Sequence, residues 1–77
     1  MPRYFFDFRD NDRLTSDDEG VECDGMETVR REATCALAEI AKDILPRSGP
    51  HKLAIEVRDS ADRPCLRAVL SFNVTRL

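Results

Sequence analysis

Three cysteines, one histidine and a run of carboxylates between Asp10 and Asp24 are the residues of this 77-residue chain whose chemistry could be put to work. The carboxylates first suggest a calcium loop. Such a loop needs oxygen ligands at alternating positions, a glycine at the sixth and a glutamate at the twelfth. Counting from Asp10, the third position is Asp12, but the fifth is Leu14 and the sixth is Thr15. The pattern fails, and a solvated turn and connector is the better reading. His51 lies between Pro50 and Lys52 and reads as a loop-end histidine. No spacing brings Cys23, Cys35 or Cys65 to it as a metal-ligand set or a nucleophile–base pair. Ser16, Ser48, Ser60 and Ser71 lack a nucleophile elbow, and three scattered glycines make no phosphate loop. No catalysis, cofactor or metal is expected.

The elements that would position any site are legible from periodicity. Met26, Val29, Ala33, Ala36, Leu37, Ile40 and Ile44 recur at steps of three and four, the stripe of one amphipathic helix. Asp24, three residues before Glu27, reads as its N-cap in an aspartate variant of the capping box. Pro46 ends it, and Arg47-Ser48-Gly49-Pro50 is a loop. Arg3 to Arg9 alternates, with Tyr4, Phe6 and Phe8 on one side and Arg3, Phe5, Asp7 and Arg9 on the other. Asp10 to Arg13 is a turn, followed by a short second strand that fades by Asp17. Asp18 to Cys23 is an acidic connection in which Gly20 permits a bend, with Val21 and Cys23 as inward candidates. A third strand carries Leu53, Ile55 and Val57 inward. Asp59 to Arg63 turns, and the fourth strand sends Leu66, Ala68, Leu70, Phe72 and Val74 to one side.

The expected architecture is therefore α+β in the order ββαββ, a single domain over residues 1–77. One helix packs on one face of a mostly antiparallel four-stranded sheet. A helix of about 20 residues covers one face only. The other face would carry Arg3, Phe5, Asp7, Arg9, Ala54, Glu56, Arg58, Arg67, Val69, Ser71 and Asn73. Cys35 falls on the outward side of the helix, near Arg31 and Lys42. There it is a surface thiol, a dimer contact or a reactive thiol.

Net charge is −3, and it is unevenly spread: residues 1–24 hold 3 basic and 8 acidic side chains, while the remainder is slightly basic. A dedicated DNA binder usually shows a clear positive excess, which this balance opposes without excluding a local patch. An odd cysteine count without a C-x-x-C pair argues against a disulfide scaffold. The start lacks the apolar core of a secretory leader, and no run reaches membrane-spanning length. A cytoplasmic protein is expected. A core this small is marginal alone, which makes self-association a natural source of extra stability.

The opening Met1-Pro2-Arg3-Tyr4-Phe5-Phe6, the connector Asp18-Glu19-Gly20-Val21-Glu22 and the strand end Ile55-Glu56-Val57-x-Asp59 fall in an order and spacing that resembles a family of small proteobacterial proteins. That family is known only as a domain of unknown function, and the resemblance covers nearly the whole chain. Its members often have a histidine after the Phe pair, where this chain has Asp7, and a glycine before the arginine of the second turn, where Asp62 stands. The resemblance implies no activity, substrate or catalytic residue.

Two functions are weighed. The first is a small non-catalytic interaction or adaptor module, homodimeric, binding through the open sheet face, an exposed strand edge or the Cys35 side of the helix. The second is a nucleic-acid-associated, antitoxin-like protein that uses Arg3, Arg9, Arg58 and Arg67 around Phe5 and Val69. Single-strand readers generally present two or three aromatics on such a face, and this one presents Phe5 alone. Asp7 and Glu56 among the arginines would form cross-strand ion pairs.

Overall fold

The computed structural model describes residues 1–47 and 49–77. Its elements run β1 (Arg3–Asp10), β2 (Arg13–Thr15), β3 (Val21–Glu22), α1 (Met26–Ile44), β4 (His51–Asp59) and β5 (Pro64–Phe72). All strand pairings are antiparallel, in the order β2-β1-β4-β5, with β3 also on β1. The α+β class and the one-helix, one-sheet layering are as expected, but the sheet has five strands rather than four. The extra strand, β3, lies inside the acidic connector. At two residues it is too short to show a period.

The centre is the β1–β4 pair, formed by strands that belong to different hairpins. Leu53, Ile55 and Val57 of β4 are almost completely buried, as are Val29 and Ala33 of α1. Fully burying such an aliphatic side chain contributes about 1.5–3 kcal/mol, so this line of contact dominates the core. The helix rests on β4 and β5. Tyr4, Phe6 and Phe8 of β1 and Leu66, Ala68 and Leu70 of β5 pack against the core only partly buried.

Several local expectations are corrected. Asp24 does not cap α1; the N-cap is Gly25 in extended conformation, without a side-chain cap bond. Cys23 is buried and its N–H donates to the Pro2 carbonyl at 3.0 Å, which holds the preceding chain at the sheet. The helix then begins one residue later than the capping box requires. The Asp24 carboxylate accepts instead from the Thr28 hydroxyl at 2.6 Å. Met26, at the first turn, is 43% exposed and lies off the end of the core. Of the two inward candidates in the connector, Cys23 is buried and Val21 is not. Val74 lies beyond the end of β5 and is exposed. Ser48 lies outside the described residues.

Two turns use left-handed backbone. Asn11 takes φ 54 in the β1–β2 turn, and its side chain accepts from the Lys52 N–H at 2.9 Å. Asp62 takes φ 61 between β4 and β5, where a glycine would be unstrained. The Asp59 carboxylate closes that turn by accepting from the amides of Ala61 and Arg63. The Arg63 amide first, with that of Ala61, holds Asp59 below the usual carboxylate range against the opposing effect of burial.

Candidate functional site

Alternation places Arg3, Phe5, Arg9, Arg58, Arg67 and Val69 on the sheet face away from the helix, as the period predicts, and the register sets them in rows. Asp7, Glu56 and Arg67 lie side by side on three strands, and Arg9, Ala54 and Val69 form the next row. The arginines are paired. The Arg9 guanidinium donates to Glu56 at 3.0 Å, and Arg67 reaches the same carboxylate at 3.4 Å. Arg58 donates to Asp7 at 2.9 Å and to Asp62 at 2.8 Å, while its guanidinium lies 4.6 Å above the Phe5 ring. Arg3 donates to the Glu19 carbonyl at 2.8 Å and approaches Glu22 at 3.4 Å. The hydrogen bond from Arg9, with the charges of Arg9 and Arg67, holds the Glu56 carboxyl below the usual range in spite of burial.

That face is not bare, which corrects the sequence expectation. Residues 16–20 pass over its Phe5 end. The Arg58 guanidinium donates to the Asp17 carbonyl at 2.8 Å, and the Asp17 N–H donates to the Asp7 carboxylate at 2.9 Å. Asp7 is consequently buried, at 9% exposure. Gly20 adopts φ +76, and a Cβ there would stand 2.9 Å from the Tyr4 carbonyl oxygen and 3.0 Å from the Phe5 ring. Only glycine meets both demands.

Asp17 is the residue whose part the sequence hid. Its Oδ2 accepts from the Phe6 N–H at 3.0 Å, and its Oδ1 accepts from the amides of Glu19 and Gly20. Burial pushes its carboxyl up, but these three amides and Arg58 outweigh that and leave it below the ordinary range. The Phe6 N–H lies on the outer edge of β1, in the gap between β2 and β3, so Asp17 substitutes for a missing strand.

The edges of the sheet follow from hydrogen-bond parity. The Asn11 N–H donates to the Lys52 carbonyl at 2.9 Å, one step beyond the Asp10–Leu53 pair. The directly bonded β1–β4 pairs therefore join odd residues of β1 to even residues of β4. Leu53 and Ile55 then direct their backbone groups to Leu70 and Ala68 of β5. The N–H and C=O groups of Arg67, Val69 and Ser71 point outward. Among the described residues nothing pairs with that outer edge. Toward Pro64 the ladder is interrupted by a register shift at Val57/Arg58.

The remaining candidates stand apart. Cys35 is exposed on α1, in the other layer from the arginines. Burial raises the Cys23 thiol pKa, and desolvation does the same for Cys65, whose Sγ lies 3.5 Å from the Val57 carbonyl. His51 is not a loop residue but the first of β4, with Nδ1 2.9 Å from the Asp10 carboxylate. Among the described residues no group of three or more His, Cys, Asp or Glu could hold a metal ion. None of their helices is long and apolar enough to cross a membrane.

No curated protein and no solved structure matches the chain. A family model does match, over residues 3–71, from the first residue of β1 to the penultimate residue of β5. Since that span takes in the helix and all five strands but for the last residue of β5, the chain belongs to the family described as Domain of unknown function (DUF6894).

Proposed function

We propose that the protein is a small, non-catalytic, homodimeric interaction module of the cytoplasm that works by strand addition at the outer edge of β5. The observation that carries this reading is the exposed edge of a nine-residue strand. Its outward amides and carbonyls are the backbone chemistry to which an added strand binds. Between Pro64 and Phe72 the only charge is Arg67, so the edge lacks the lysines and inward charges that usually guard such a strand. Three unpaired cysteines suit a reducing compartment.

The second reading, a nucleic-acid-associated protein, draws on a hollow of about 300 Å³ on the open face, where Arg9, Lys52 and Arg67 line a wall above Ala54. It ranks behind the first because Arg9 and Arg67 share the Glu56 carboxylate. A phosphate would have to displace that partner.

One comparison tests the two readings. Binding partners of the intact chain are compared with those of Val69→Pro and of the Arg9→Ala/Arg67→Ala double variant, at low and moderate salt. Strand addition requires that Val69→Pro abolish binding and the double variant retain it. Binding to RNA or DNA that survives Val69→Pro, vanishes in the double variant and falls steeply with salt overturns strand addition in favour of the second reading.

A further inference from the structure

We infer that the strand added to β5 is β5 of a second copy of this chain, paired antiparallel about a twofold axis at Ala68. This rests on the strand-addition reading and names its occupant. Ala68 is the midpoint of Pro64–Phe72, so the axis matches the strand to itself over its full length. Parity agrees. Ala68 directs its backbone groups to Ile55 of β4 and can face its own copy as a non-bonded pair. Arg67 and Val69, which point outward, form directly bonded pairs, each with the other residue of the second copy.

The side chains agree as well. On the helix side, Leu66 of one copy meets Leu70 of the other, with the small Ala68 pair between them. All three are only partly buried in the single chain, and the pairing extends the apolar core across the junction. On the open side Arg67 lies beside Val69 of the second copy, and Val69 is 47% exposed in the single chain. An axis at Arg67, one residue away, would set two arginines directly opposite, a destabilising arrangement. An axis at Val69 would carry Leu66 opposite Phe72 and leave the Pro64 end of each strand unmatched. A twofold perpendicular to the sheet keeps both helices on one face. The product is a continuous sheet in which neither copy retains a bare long edge.

The test uses the full chain alone. Sedimentation of the purified protein is expected to give twice its 8.8 kDa mass. Val69→Pro is expected to give the single-chain mass with native far-UV signal. Val69→Lys, which keeps the backbone amide but places a cation beside Arg67 of the second copy, provides the same readout should the proline variant not fold. In a Cys35→Ser/Cys65→Ser background, Ala68→Cys is expected to oxidise to a linked dimer, whereas Val69→Cys is offset by two residues from its copy and stays unlinked. A single-chain mass for the intact protein overturns the second-copy assignment. Strand addition still stands in that case if a foreign partner binds the intact chain and is lost with Val69→Pro. A dimer that persists in both Val69 variants overturns the inference and the strand-addition reading together. Linking at position 69 and not at 68 overturns the register.

Discussion

The two edges of the sheet present the same backbone groups and treat them in opposite ways. Along the outer edge of β1, two short strands take most of the donors and acceptors, and the gap between them is filled by the Asp17 carboxylate on the Phe6 N–H. Arg58 and Asp7 then fasten that plug from the open face. Among the described residues, the outer edge of β5 has no strand and no carboxylate plug. A chain with 15 acidic residues does not lack the means to protect an edge. The contrast locates the closed edge of the sheet at β1 and the open edge at β5.

The largest effect is expected where proline removes a bond on the inner side of β5. Leu70 directs its N–H to Leu53, so Leu70→Pro leaves a buried acceptor unmatched and should cost about 3 kcal/mol by chemical denaturation. Next comes the closed edge. Gly20→Ala forces a side chain into left-handed backbone against the Tyr4 carbonyl, and should cost about 2 kcal/mol. A loss below about 0.5 kcal/mol would show that residues 16–20 do not hold the position on which the plug depends.

Asp17→Asn tests the plug itself. The amide has one acceptor oxygen for a site whose two carboxylate oxygens both face N–H donors, so its NH2 must oppose one of them; the expected cost is about 1 kcal/mol. The pH dependence follows with a definite sign. Asp17, Glu56 and Asp59 are all held below the ordinary carboxylate range in the folded chain. The unfolded chain therefore takes up protons first as pH falls. The stability they contribute is present above about pH 4–5 and is lost below it, toward their depressed folded values. Thermal melts of the intact chain should decline through that window, and Asp17→Asn should decline less steeply.

The closed edge was also the least legible part of the sequence. The helix stripe and the alternating faces are periodic, and from them came the layering, the two hairpins and the common face of Arg3, Phe5, Arg9, Arg58, Arg67 and Val69. The ion pairs of Asp7 and Glu56 with these arginines follow from the same alternation. Asp17 has no such signature. Its value depends on an amide 11 residues away being left between two strand fragments, which no local pattern announces. The same is true of Gly25 displacing Asp24 as the helix cap, because the contact responsible ties Cys23 to Pro2. Strand order, which decides that β5 and not β4 is an edge, also lies beyond periodicity. Cys35 does lie exposed on the helix, as its place on the wheel implies, and that position keeps it away from the arginines of the sheet.

The smallest effect on folding is expected at the residue with the largest effect on assembly. Val69 neighbours Leu70, yet its N–H points away from β4, so Val69→Pro breaks no bond within the chain. Its cost to the stability of the single chain should stay below about 1 kcal/mol, the loss of a partly exposed valine. Measured in dilute solution, Leu70→Pro and Val69→Pro should therefore differ by about 2 kcal/mol or more although they are one residue apart. Equal destabilisation would mean that the parity assigned to β5 is wrong, and that Arg67 and Val69 are not the groups an added strand could meet. A large difference, together with loss of association in Val69→Pro alone, separates the edge that holds the fold from the edge that receives a partner.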